Sequence, residues 1–141
     1  MKTLIAIIAI ALMGFDGLTQ GTLEVEVSNL KSTDGYVYLS IYNEEGQFLK
    51  EAFRRTMVET IEGKSVILKL EDLPYGTYSV SVMHDENMNG DLDSGTFGIP
   101  KEGYGFSNNA RGMFGPPSYE DTQFSFESDT KMSIKLIHPP F

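Results

Sequence analysis

The sequence predicts an all-β fold, a Greek-key β-sandwich of about seven strands with one long ordered loop. Apolar and polar residues alternate with a period of two in one segment after another, as in strands with one buried and one solvated face. Apolar patterns of helical period do not extend beyond a turn or two. Because short strands separated by regular turn signals are typical of Greek-key sandwiches, we favour a sandwich over a barrel.

Two strands near the start of the pattern are marked most clearly. Leu23, Val25 and Val27 alternate with polar residues, which predicts a strand with one buried face. The same alternation in residues 36–42 predicts a second strand, closed by an Asn-Glu-Glu-Gly turn at residues 43–46.

The next segment contains a weaker helical signal and a hairpin signal. Apolar residues at one-turn spacing predict a short helix over residues 47–54. Residues 56–61 and 65–70 both alternate and flank a Glu-Gly-Lys turn at 62–64. That arrangement predicts a β-hairpin.

A tight turn followed by a strand comes next. Residues 73–82 read Leu-Pro-Tyr-Gly-Thr-Tyr-Ser-Val-Ser-Val. This pattern recurs in immunoglobulin-like and transthyretin-like sandwiches, and it supports a fold of that kind rather than a function. Alternation at residues 123–127 and 131–138 predicts the last two strands.

The N-terminus predicts export. An unbroken apolar run from Leu4 to Met13 follows one Lys and precedes small residues, which is typical of a secretory signal peptide. The run is shorter than the roughly 20 residues that cross a bilayer. We expect cleavage before Gln20, with residues 1–19 as signal peptide and 20–141 as a single β-sandwich domain in the periplasm or outside the cell.

Composition restricts the partners. The chain has 20 acidic and 11 basic residues and a formal charge of −9. Nucleic acid and anionic membrane surfaces are therefore poor partners, and cations are good ones. The chain has no cysteine, so neither disulfides nor a lipid-modified cysteine is expected, and we predict no membrane span.

The acidic turn at residues 84–93 predicts a calcium site. It reads His-Asp-Glu-Asn-Met-Asn-Gly-Asp-Leu-Asp, with oxygen-bearing side chains at every second position of a tight turn. Such side chains converge on one point, and calcium prefers oxygen ligands. The predicted ligands are Asp85, Asn87, Asn89, Asp91 (through its carbonyl) and Asp93.

The match to an EF-hand loop is incomplete. The spacing fits the first nine positions of that loop, but Thr96 stands where a bidentate Glu belongs. Glu102 or a carbonyl of the following loop would have to complete the shell. The alternative interpretation is that Asn89 and Gly90 form a tight turn without a metal.

His84 shares strand parity with Tyr78, Val80 and Val82, so we expect it to point into the core. An alternative function gives it a catalytic role. In that hypothesis the chain is a metal-assisted hydrolase that uses the loop carboxylates with His84. It requires His84 to be accessible to solvent. The sequence contains no other catalytic motif.

A long segment from 96 to 121, rich in Gly, Asn, Pro and aromatic residues, has no clear period. Loops of this length in compact domains are usually functional or packed against their own scaffold. We expect the segment to be ordered by four aromatic anchors, Tyr104, Phe106, Phe114 and Tyr119. The candidate ligand-binding residues are His84, Glu102, Tyr104, Ser107, Asn108, Asn109 and Arg111.

Residues 84–93 and 97–121 together resemble a family of exported bacterial proteins known as domain of unknown function 2141. The resemblance covers nearly all of the chain after the predicted signal peptide. It implies export and a small sandwich, but no activity, because none is established for the family. The matching residues are His84, Asp85, Asn87, Asn89, Gly90, Asp93, Gly98, Pro100, Glu102, Tyr104, Gly105, Phe106, Ser107 and Asn108.

Three functional hypotheses follow from the sequence. In the first, the chain is a non-enzymatic module in which calcium fixes the acidic turn and the 96–121 segment binds a glycan, a peptide or another envelope protein. The second is the hydrolase. In the third, the protein is purely structural and the long loop only covers the core. The oligomeric state is left open.

Overall fold

The computed structural model describes residues 19–60, 62–90 and 101–138. The predicted signal peptide up to residue 18, residues 91–93 of the acidic turn and residues 94–100 after it lie outside these ranges. A short helix, α1 (Tyr119–Thr122), accompanies the strands. The strands of the described part are β1 (Gln20–Ser28), β2 (Tyr36–Tyr42), β3 (Arg54–Glu59), β4 (Ser65–Pro74), β5 (Gly76–Asp85), β6 (Tyr104–Phe106), β7 (Phe124–Phe126) and β8 (Thr130–Lys135).

The strands form two sheets, and the predicted all-β sandwich is confirmed. The three-stranded sheet has the order β4-β1-β8, with β1 antiparallel to β4 and parallel to β8. The five-stranded sheet has the order β3-β2-β5-β6, and β7 also pairs with β5. The chain passes from one sheet to the other between β1 and β2, β3 and β4, β4 and β5, and β7 and β8.

The core lies between the inner faces of the two sheets. Leu23, Val25 and Val27 of β1 are fully buried, as their alternation predicts. The other strands contribute residues of the same inward parity. These include Val37, Leu39, Ile41, Leu68, Leu70, Tyr78, Val80, Val82, Phe126 and Ile134.

The corner between β4 and β5 explains the Leu-Pro-Tyr-Gly pattern. Strand β4 ends at Pro74 and β5 begins at Gly76, so the chain changes sheets around Tyr75. The buried hydroxyl of Tyr78 donates a hydrogen bond of 2.6 Å to the carbonyl of Pro74. A tyrosine hydroxyl bonded to backbone a few residues upstream is similar to the tyrosine corner of immunoglobulin-like sandwiches.

The two sheets meet at both edges. At one edge Tyr104 and Ile137 exchange backbone hydrogen bonds of 3.1 Å and 2.7 Å, which joins β6 to the chain beyond β8. At the other edge the Arg54 guanidinium donates to the carbonyls of Glu71 and Asp72 at 2.6 Å and 3.1 Å. Residues 104–106 of the predicted long loop therefore form a strand that helps to close the sandwich.

The predicted hairpin is wrong, although both of its segments are strands. Strand β3 pairs with β2, whereas β4 pairs with β1 in the opposite sheet. The turn at 62–64, where Gly63 has a φ of +75°, reverses the chain but leads it across the core. A turn signal in the sequence predicts that the chain reverses direction. The packing of the core decides which strand each segment pairs with.

The predicted short helix over 47–54 is also wrong. The chain forms a 3₁₀ turn at Glu45–Gln47, and Leu49 then has a φ of +58°, outside the helical region. Strand β3 begins at Arg54. The apolar residues of this segment do not share one buried helical face. Phe48 packs against Tyr42 of the sheet, whereas the Phe53 side chain is 46 % exposed.

Candidate functional site

The acidic turn begins where β5 ends, at Asp85, a residue with no exposed surface. One carboxylate oxygen accepts a hydrogen bond of 2.7 Å from the backbone N–H of Gly90. The other accepts one of 3.2 Å from the N–H of Asn89. Gly90 has a φ of +80°, which glycine adopts without strain. The Asp85 side chain therefore holds the first half of the turn closed.

Two predicted calcium ligands point to the same place. The backbone N–H of Asn89, which donates to Asp85, also donates a hydrogen bond of 3.3 Å to the side-chain oxygen of Asn87. Both side chains offer oxygen atoms as metal ligands, which suits a hard cation such as calcium. Within residues 19–60, 62–90 and 101–138, no three His, Cys, Asp or Glu side chains form a metal-binding group. Asp91 and Asp93 lie outside the described residues, so calcium binding stays a prediction.

His84 lies inside the sandwich, on the face that strand parity gives it. The ring has no exposed surface, and its Nε2 donates a hydrogen bond of 2.7 Å to the carbonyl of Asp34. Its backbone N–H donates to the carbonyl of Gly103 at 2.8 Å. The hydrolase hypothesis requires an accessible His84, and this burial argues against it.

The connections around His84 pack tightly at this end of the sandwich. Gly35 has a φ of +77°, and a Cβ there would lie 1.9 Å from the carbonyl oxygen of Asp85. Gly103 lies against the ring of His138, whose Nε2 donates to the carbonyl of Asn29 at 2.6 Å. Glu102, a predicted site residue, is also buried. The two histidines thus tie separate connections together.

The Ser107 side chain forms its hydrogen bonds within the protein. Its hydroxyl is fully buried, donates to the carbonyl of Thr122 at 2.5 Å and accepts from the backbone N–H of Val80 at 3.0 Å. The Thr122 hydroxyl in turn lies 2.6 Å from that of Ser79. These bonds fasten α1 and the long loop to β5.

Asn108 and Asn109 hold the same loop from the outside. Both have positive φ angles, 62° and 48°, which asparagine tolerates better than most residues. The Asn108 amide donates to the carbonyls of Asp121 and Gln123 at 3.1 Å and 2.8 Å. The Asn109 oxygen accepts from the backbone N–H of Lys135 at 2.9 Å.

The aromatic anchors of the long loop divide into two groups. Phe106 and Tyr119 are buried and Tyr104 is half-buried, as anchors should be. Phe114 was expected to be an anchor, and this is wrong, because its side chain is 98 % exposed and neighbouring Met113 is 88 % exposed. The Gly-rich turn around them projects both side chains into solvent.

The outer face of the five-stranded sheet has a covered part, which we call the closed half. Phe48 packs there against Tyr42, Tyr119 and Phe106, with ring centroids 5.4, 5.6 and 6.4 Å apart. Those three partners are each at most 7 % exposed. The loop after β2 and helix α1 thus form a second, smaller hydrophobic cluster outside the main core.

Among the described residues, no aromatic side chain covers the rest of that outer face in the way that Phe48 covers the closed half, and we call this part the open half. The strand register places one row of side chains across β3, β2, β5 and β6, which we call the stripe: Met57, Tyr38, Met83 and Tyr104. Met57 is 55 % exposed, and the other three are partly exposed. The row above is Glu59, Tyr36 and Asp85, and the row below is Arg55, Ser40, Ser81 and Phe106.

Two arginines flank the stripe. The Arg55 guanidinium lies 4.5 Å from the ring centroid of Tyr38, within cation–π distance. Burial raises the pKa of Tyr104 above 10.0, and the nearby Arg111 cation partly offsets this by lowering the pKa. The described residues place no carboxylate within ion-pair distance of either arginine. Tyr104 and Arg111 are thus the predicted binding residues that stand at the open half.

Comparison with known proteins identifies the family. The family model described as "uncharacterized protein conserved in bacteria (DUF2141)" matches residues 25–135. The chain belongs to this family. No curated protein and no solved structure matches it. The predicted membership is confirmed, and the matched range takes in the acidic turn, the long loop and both sheets of the sandwich.

This DUF2141 chain also contains site residues that the sequence reasoning missed. The sequence pattern places Tyr36 and Tyr38 only on the outward side of a strand, and it gives no role to Met57 or Met83. A signal was present, because tyrosines occupy an outward parity that polar residues usually fill. In the described ranges no helix is long and apolar enough to cross a membrane.

Proposed function

We propose that this chain is an exported, non-enzymatic protein-binding module of the bacterial cell envelope. In this proposal a calcium ion fixes the acidic turn, and the open half of the five-stranded sheet binds a partner protein. The observation that carries it is the stripe, an apolar and aromatic row in which Met57 is exposed and the other three side chains are partly exposed. Exposed apolar patches with polar rims are typical of interaction sites.

The composition of the open half favours a protein over a glycan. Tyr, Met and Arg are the residue types enriched at protein interfaces, and the surface combines Tyr38, Met57 and Met83 with Arg55. Strands β2 and β5 have neighbours on both sides, so a peptide cannot add to them as a strand. The open half therefore offers side chains to a partner surface.

Export and calcium rest on other features. The apolar run of residues 4–13 supports export. The convergence of Asp85 and Asn87 oxygens on one N–H supports a cation site. Asp85 also stands beside Tyr36 in the strand register, so a fixed turn would keep that end of the open half in place.

A purely structural role is the second candidate, and one observation favours it. Ser107, Asn108 and Asn109, which the sequence offered as ligand contacts, all bond to the protein's own backbone. In that case alanine at Arg111 and Asn108 changes stability and no other phenotype.

The experiment that tests the proposal is photo-crosslinking in the native host. Met57, in the stripe, is replaced by the photo-reactive residue p-benzoylphenylalanine. The matched control places the same residue at Ile67, which is 52 % exposed on the other sheet. Defined glycans and peptides are also titrated onto the purified protein and followed by NMR.

We expect a discrete crosslinked protein adduct from position 57 and none from position 67. Equal adducts from both positions, or none from either, would contradict a binding role for the open half. Shifts at the stripe caused only by a glycan would replace the protein partner with a glycan.

A further inference from the structure

The side-chain rows of the open half have opposite charges on the two sides of the stripe. Glu59 stands in the row above Met57 and Arg55 in the row below, all three on the outward face of β3. Asp85 in the upper row has no exposed surface and has its carboxylate bonded within the turn. Glu59 and Arg55 are therefore the charges that the open half presents on this strand.

We propose that the protein that binds the open half is a second copy of this chain, packed face to face. The inference rests on the function proposed above, because it uses the same surface. A half-turn about an axis along the stripe lays the stripe of one copy over that of the other. The same rotation exchanges the rows, so that Glu59 of each copy faces Arg55 of the other.

The rest of the face is complementary under this rotation. Tyr36 of one copy comes opposite Ser40 of the other, which brings two hydroxyl groups together. Met57, Tyr38 and Met83 each meet their own equivalents, as a two-fold interface requires. The self-matching surface thus has an apolar centre with polar pairs on both sides, as protein interfaces have.

The charges select this orientation over its alternative. A two-fold axis along the strands would also superpose the two stripes. It would place β3 of one copy over β6 of the other and β2 over β5, so that Tyr36 faces Asp85 and Arg55 faces Phe106. That arrangement leaves both Arg55 side chains without a carboxylate, so electrostatic complementarity favours the axis along the stripe.

The dimer is expected to be weak. Four strands at about 4.8 Å spacing make the stripe about 14 Å long, and three rows span a similar distance along the strands. The resulting footprint, about 200 Å² per copy, is well below the roughly 800 Å² per partner of a standard interface, so we expect dimers only at high concentration. The rotation also carries each acidic turn above the closed half of the other copy, so the height of the Phe48 cluster limits how closely the faces approach.

Sedimentation equilibrium of the chain without its predicted signal peptide, from micromolar to millimolar concentration, tests the inference. The variants are Arg55→Glu, Glu59→Arg and the double reversal, with Ile67→Lys on the other sheet as control. We expect each single reversal to raise the dimer dissociation constant at least about tenfold, since it places like charges opposite each other. The double reversal restores the pairs and should return the constant to near the wild-type value.

Two results would overturn the proposed face-to-face pairing with a second copy. One is a monomer at every concentration, and the other is a dimer that neither reversal weakens, as the alternative axis predicts. Thermal melts of each variant show whether it is folded. The crosslink from position 57 separates the two proposals: an adduct with a different protein removes the second copy but keeps the binding role, and no adduct removes both.

Discussion

The closed and open halves of one sheet face have similar sequences and different environments. Both present aromatic side chains from β2 and β6: Tyr42 and Phe106 in one, Tyr38 and Tyr104 in the other. In the closed half Phe48 covers the rings, and they are nearly inaccessible. In the open half the described chain leaves them partly exposed. An outward aromatic residue on a strand is therefore either structural or available for binding, and its cover decides which.

The largest expected effect tests this difference directly. Phe48→Ala removes the centre of the closed half and should lower the free energy of unfolding by about 3 kcal/mol, the range for truncating a packed Phe. Tyr38→Ala, in the open half, should lower it by less than about 1 kcal/mol. Urea unfolding measures both. Equal losses would mean that the two halves do not differ in packing.

Calcium should affect the end of the sandwich that borders the open half. If calcium binds only the folded chain, a hundredfold excess over its dissociation constant raises stability by about 2.7 kcal/mol. Asp85→Asn keeps the size of the side chain and removes its charge, so the gain should disappear. Thermal melts in EDTA and in calcium measure this. Asp129→Asn, whose carboxylate accepts from the N–H of Thr22 in another part of the fold, is the control.

A wild-type melting temperature that is the same in EDTA and in calcium would reduce the acidic turn to a backbone motif. The turn would then be held by the hydrogen bonds that the Asn89 and Gly90 N–H groups donate to Asp85, without a metal. The open half would lose its neighbouring metal but not its stripe.

Alternation predicted the described strands except β6, because burial of one face depends only on the local order of residues and β6 is three residues within a segment that has no period. It could not give the partners of β3 and β4, which pair in different sheets because of where the core lies. The site was harder to predict for a similar reason. Ser107 and Asn108 have the residue types of ligand contacts, and only the fold shows that they bond to the backbone of β5, α1 and the following residue.

The cover of the closed half was equally invisible in the sequence. Phe48 and Tyr119 are far apart in the chain and meet on the sheet only through the fold. The apolar spacing around Phe48 predicts a short helix, and that prediction does not show Phe48 as a cover for the sheet.

Alkaline pH should lower the stability of the protein by a smaller amount, through the ionisation of two tyrosines. Burial raises the pKa of Tyr78, in the core, and of Tyr104, in the open half, above 10.0, and Arg54 and Arg111 respectively lower them in part. The unfolded chain ionises first, so their contribution to stability is complete below pH 10.0 and is lost as the pH rises through the folded-state values.

Urea unfolding across this pH range, in wild type and in Tyr104→Phe, measures the loss. We expect the wild type to lose stability with rising pH and Tyr104→Phe to lose less, because one ionising group is gone. A variant whose loss equals that of the wild type would show that Tyr104 has the same environment folded and unfolded.

The smallest expected effect lies outside both halves. Phe114 is almost completely exposed, so Phe114→Ser removes no packing and should change the free energy of unfolding by less than about 0.5 kcal/mol. Tyr119→Ser, on the same connection between β6 and β7, removes a buried ring of the closed half and should cost several times as much. Urea unfolding compares the two. A large loss at Phe114 would show that its ring is covered in solution, and the distinction between covered and uncovered aromatic residues would then have to be redrawn around the tip of that loop.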